Sequence, residues 1–135
     1  MFVKKLKLTF DDYQVYADLC YEKIPLTLET IEQNLPAKGL LRHAKICDNE
    51  WMLPLPFKID VDEPANRLRP VPGDIGFNAG LQIFCGWYSP MKPLGFTNKI
   101  ATVAAKDMPE YAKQMSRCWD DPGQVVTIEI VEVEE

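Results

Sequence analysis

His43 is the single histidine among 135 residues, and so the one side chain whose ordinary pKa lies near neutrality. Arg42 precedes it. On a strand the two point to opposite faces, so one of them can line a pocket. The plainer reading makes each a partly exposed strand residue bonded to a neighbour. Cys85 is a second candidate. A nucleophilic thiol needs a base within reach, and His43 is the only imidazole that could serve; otherwise Cys85 packs as a small hydrophobe. A third set is aromatic. Trp51, Phe57, Phe77, Phe84, Trp87 and Tyr88 can wall an apolar cleft in which Asn78 and Gln82 supply the polar contacts, or they can simply fill the interior. The paired carboxylates Asp11-Asp12, Asp60/Asp62 and Asp120-Asp121 all sit in turn-like stretches, where Asp is favoured for local bonding. No phosphate-cradling glycine loop or nucleophile elbow is present, so no cofactor is expected.

Composition narrows the classes. Fifteen basic and twenty acidic residues give a formal charge of −5, against nucleic acid, whose binding rests on phosphate neutralisation. The four cysteines (Cys20, Cys47, Cys85, Cys118) form no Cys-x-x-Cys pair, and with one histidine they argue against a metal site. They read as reduced thiols in a cytoplasmic protein. No apolar leader follows Met1 and no run of about 18 apolar residues exists, so neither secretion nor a membrane helix is expected.

These residues need elements to hold them. Leu6, Leu8 and Phe10 alternate with Lys5, Lys7 and Thr9; after Asp11-Asp12 a second alternating run, Tyr13 to Leu19, predicts a hairpin. Ile24, Leu28, Ile31 and Leu35 recur at helical spacing within Pro25 to Pro36, with Thr27 as N-cap. Leu40 to Cys47 is a predicted strand, Asp48 to Glu50 a turn, and Trp51 to Leu55 the returning strand, confined to an edge or bulge by Pro54 and Pro56. Phe57, Ile59 and Val61 alternate as a further short strand, and a polar loop runs from Glu63 to Arg69. Pro72-Gly73-Asp74 is a turn leading into a strand over Ile75 to Phe77. Leu81 to Trp87 is then apolar on nearly every residue, as in a strand buried on both faces or lining a barrel. Pro90, Pro93 and Gly95 mark a loop. A strand over Lys99 to Lys106, a helix opened by Asp107-Met108-Pro109-Glu110, and a last strand over Gln124 to Glu134 complete the chain.

The order of elements, with Pro25-x-Thr27-x-x-x-Ile31 after the first hairpin, resembles the cyclophilin-like β-barrel. Pro72-Gly73-Asp74-Ile75-x-Phe77 followed by Leu81-x-Ile83-Phe84-x-Gly86 is similar to a group of small prokaryotic cyclophilin-like proteins of unknown function. The resemblance implies a mainly β (α+β) fold: one domain over residues 1–135, a closed barrel with two capping helices. It also implies a cleft where cyclophilins hold proline. There Arg42 and His43 would orient a carboxylate or amide, and Trp51, Phe84, Trp87 and Tyr88 would form apolar walls. True cyclophilins carry an Arg after a Phe-His pair; here Ala44 follows His43, and Trp51-Met52-Leu53 lacks the expected Gln. The first expectation is therefore a barrel that binds, or weakly acts on, a small metabolite. The alternatives are a prolyl isomerase with an altered site and an accessory subunit that docks on another protein. Base rates add a homo-oligomer.

Overall fold

The first hairpin forms where the alternation places it. In the computed structural model, which describes residues 1–55, 58–59, 61–62, 65–92 and 96–135, β1 (Phe2–Phe10) and β2 (Tyr13–Leu19) pair antiparallel across Asp11-Asp12. Leu6, Leu8 and Phe10 of β1 and Val15 and Ala17 of β2 are buried, as the period of two requires. Asp11 takes φ = 52°, the left-handed conformation that a two-residue hairpin needs and Asp tolerates.

Helix α1 (Pro25–Gln33) buries Ile24, Leu28 and Ile31. Its cap differs from expectation. Ile24, not Thr27, is the N-cap residue, and no side chain of its own caps it. Asp62 does so from a distance: its carboxylate accepts from the Thr27 amide (2.6 Å) and hydroxyl (2.8 Å). Pro25 in the first turn places the N-cap three residues upstream of Thr27, which becomes a buried partner of that carboxylate.

The expected strand over Leu40 to Cys47 is broken into three pieces. β3 (Ala37–Leu40) pairs with the last strand, β4 (Arg42–His43) pairs with β5 (Asp48–Pro54), and Lys45–Cys47 is a 3-10 turn. Leu41 is the joint. Its amide donates to Gln124 O and its carbonyl accepts from Gly123 N (2.8 and 2.7 Å), while its side chain is fully buried. The expected turn at Asp48 to Glu50 instead opens β5, with Asp48 at φ = 60°. β6 (Arg67–Leu68), β7 (Asp74–Asn78), β8 (Ile83–Met91) and β9 (Thr97–Val103) follow, then α2 (Met108–Met115), a 3-10 turn over Ser116–Trp119, and β10 (Val125–Glu134). Pro56, Phe57, Asp60, Glu63, Pro93 and Gly95, all used in the sequence reading, lie outside the described residues. The described neighbours of Phe57 carry no strand pairing.

All ladders are antiparallel, and the described strands form one sheet in the order β3-β10-β1-β2-β9-β7-β8-β5-β4, with β6 paired on β9. The sheet is rolled but open, so the expected closed barrel is corrected. Its two end strands are consecutive in the chain, joined through Leu41, and a strand cannot ladder with its own continuation. One end instead packs on the strand next to the other end. At Gly39 a Cβ would lie 2.7 Å from Pro54 O and 2.9 Å from a Leu53 methyl, so β3 lies directly on β5. One core fills the inside of the roll, from Leu6 and Leu8 through Trp51, Leu53 and Phe84 to Tyr111, Met115 and Ile128. Among the described residues no helix is long and apolar enough to cross a membrane, and no disulfide joins the cysteines.

Candidate functional site

The apolar run of β8 has a simple cause: neither face of this part of the sheet lies open to bulk solvent. Glu50 of β5 stands opposite Trp87, and Met52 opposite Cys85. These four line one face. The alternating residues Trp51, Leu53, Phe84 and Tyr88 enter the core on the other. Gly86 is required there. A Cβ on it would clash with the Trp51 indole, which packs against β8 here and donates from Nε1 to the Tyr111 hydroxyl (2.6 Å).

The outer face is the floor of a cleft of about 480 Å3. Ile46 and Cys47 of the 3-10 turn form one wall. Asn78 to Leu81, at the β7–β8 turn, form another, and Arg67, Phe96, Thr97 and Asn98 close the third. Gln82, at φ = 55°, holds the turn in place. Its carboxamide oxygen accepts from the Ile59 amide (2.7 Å) and its nitrogen donates to Ala79 O (2.8 Å). Thr97 packs over Gly76, whose missing side chain makes the room.

The lining is mainly apolar, with one buried carboxyl. Burial pushes the Glu50 carboxyl above its usual range; the Cys47 thiol and the Trp87 indole beside it pull in the other direction and are outweighed. The Trp87 Nε1, itself buried, makes no well-formed hydrogen bond to any described residue. Cys85 is a protonated thiol. Burial, then the neighbouring Glu50, raises it to about 12, and its Sγ reaches Gly76 O at 3.7 Å. His43 does not line this cleft, so the only imidazole in the chain is not set against Cys85.

Arg42 and His43 border a second cleft, also of about 480 Å3, with Leu40, Lys45, Trp119, Asp120 and Pro122. His43 Nε2 bonds the Tyr88 hydroxyl at 2.7 Å, and its ring meets Trp119 edge-on at 4.5 Å. Burial, and then the Lys45 charge, lowers the His43 pKa. The six residues expected to share a site are thus divided. Trp87 is in the first cleft; Arg42 and His43 are in the second, with Tyr88 behind them; Trp51 and Phe84 are fully buried in the core and line neither. Trp51 and Tyr88 follow from the period-two alternation, which sends neighbours of Glu50 and Trp87 inward. Sequence reasoning missed Glu50, Arg67, Thr97 and Asn98. Glu50 carries a signal, an acid directly before the apolar Trp51-Met52-Leu53, but Asp48-Asn49 ahead of it give the stretch the look of a turn.

The fold has known counterparts. McbB, solved in complex with tryptophan, is similar over 92% of this chain with a TM-score of 0.77 and 18% identity. The chain spans only 44% of the McbB chain. The hypothetical protein AF2241 from Archaeoglobus fulgidus is similar over 93% of this chain and 92% of its own, with a TM-score of 0.62 and 15% identity. At such identities the likeness shows the fold alone, a small mainly β architecture. No protein-family model matches the sequence, and no curated protein matches it.

Proposed function

We propose that this protein binds, or weakly acts on, a small and largely apolar molecule carrying a carboxylate or amide, and that it does so in the first cleft. The observation that carries the reading is the cleft itself. Its volume, about 480 Å3, lies in the range of small-ligand sites, and its walls are apolar with a few polar groups at fixed places. Arg67, which makes no ion pair with any described residue, and Asn98 stand ready for a carboxylate or amide. Glu50, with the Trp87 N–H beside its carboxyl, supplies an acid and a donor at the floor. The cyclophilin-like reading of the fold belongs to the proposal. It is supported by the rolled antiparallel sheet with a helix after the first hairpin. The altered-site isomerase gains nothing from the geometry, because Arg42 and His43 face away from Trp87.

McbB, similar in fold, was solved with tryptophan, which makes tryptophan a sensible first probe. The test is a thermal-shift screen with tryptophan, indole carboxylates, benzamides and lactams. A ligand at about 100 times its Kd adds roughly 2.7 kcal/mol to the folded state, a shift of several degrees for a domain of this size. A hit should be lost in Trp87→Ala and weakened about tenfold in Arg67→Ala if it bears a carboxylate. A hit indifferent to both substitutions would place the ligand elsewhere.

A further inference from the structure

The second cleft shares no lining residue with the first. The 3-10 turn over Lys45–Cys47 separates them. Cys47 N bonds back to Ala44 O (3.0 Å), and this tight turn sends Lys45 to the second cleft while Ile46 and Cys47 line the first. Arg42, three residues before Lys45, lies on the same side.

The cations there are unspent. Arg42 makes no ion pair or side-chain hydrogen bond with any described residue. Lys45 makes a cation–π contact instead, over the Trp119 ring at 5.3 Å from its centroid, which holds its ammonium at the cleft wall without neutralising it. Asp120 also lines the cleft but pairs with neither. His43 is neutral at physiological pH. Its Nε2 is taken by Tyr88, and its Nδ1 is buried without a partner among the described residues. Two cations against one carboxylate leave a local positive excess in a chain whose formal charge is −5. Leu40, Pro122 and Trp119 supply apolar walls, and the volume exceeds what an inorganic ion fills.

We infer that the second cleft, between Arg42, Lys45 and Trp119, is a separate site for a small organic oxyanion, a carboxylate or phosphate carried on an apolar body. The guanidinium fork of Arg42 matches either oxyanion, and Lys45 adds a point charge beside it. The apolar body lies against Trp119, Leu40 and Pro122. Asp120 opposes the anion, and so limits affinity and excludes highly charged ligands.

Isothermal calorimetry with benzoate, phenyl phosphate, acetate and inorganic phosphate tests this. Benzoate or phenyl phosphate should bind and the two bare ions should bind more weakly; which of the first pair binds better identifies the oxyanion. Affinity should fall as salt is raised. Arg42→Ala and Lys45→Ala should each weaken binding about tenfold, and Asp120→Asn should tighten it. All three side chains are exposed, so the variants keep the fold. Trp87→Ala, which disables the first cleft, should leave this binding unchanged, so failure of one site is told from failure of the other. The inference is overturned if no probe binds, or if binding survives Arg42→Ala and Lys45→Ala intact.

Discussion

Tyr111 is fully buried, and its one described partner is the Trp51 indole N–H. Burial drives its phenol pKa far upward, so it stays a neutral acceptor. Tyr111→Phe leaves the Trp51 donor unsatisfied and should cost about 1–3 kcal/mol in denaturant unfolding. Two residues give opposite pH signatures. Glu50 has a raised folded pKa, so the folded state holds the extra proton. Its effect is a stability loss that grows as pH rises from 4.5, the unfolded value, through the folded one. Glu50→Gln should therefore raise Tm at about pH 8 and do little at about pH 4. His43 has a lowered folded pKa, so the unfolded state holds the extra proton. Stability is then lost as pH falls from 6.5 towards the folded value. His43→Gln should flatten that loss. Thermal melts across pH for both variants check the two signs separately.

Among the elements, α1 depends on a carboxylate 35 residues away in sequence. The Asp62 carboxylate is held below its usual range; burial opposes this, and the bonds from the Thr27 amide and hydroxyl and from the Leu26 amide overcome it. Asp62→Ala should lower stability by about 1 kcal/mol, and amide exchange in the first turn of α1 should rise. β5 and β8 depend on a missing side chain. Gly86→Ala would drive a methyl into Trp51, which cannot retreat from its bond to Tyr111, and should cost about 3 kcal/mol or more. Elements with one buried face were legible in the sequence: β1, β2, α1 and α2 all show their period. The stretch from Leu40 to Glu50 was not. Its residues change partner at Leu41 and alternate between the two clefts from His43 to Ile46, and a residue-by-residue pattern carries no mark of which strand its backbone will bond.

For the molecule as a whole, Leu41 is where the rolled sheet is held together. Its backbone bonds Gly123 and Gln124 at the approach to β10, while its flanks belong to opposite ends of the sheet. Leu41→Ala opens a cavity at that joint and should cost about 2–5 kcal/mol. The candidate site was half legible for the same topological reason. Trp87 could be chosen by its place at the end of an apolar strand. The separation of Arg42 and His43 from it could not, because the roll places β4 at an end of the sheet and turns its side chains to the segment after α2.

The chain's three tryptophans fall in three different places: Trp51 in the core, Trp87 on the floor of one cleft and Trp119 on the wall of the other. The protein therefore carries its own set of optical labels. With Trp87 and Trp119 replaced by Phe, the remaining Trp51 emission would follow global unfolding; with only one of the two replaced, the other would report occupancy of its own cleft over the constant Trp51 background. Folding and two binding events could be followed apart, with no dye attached.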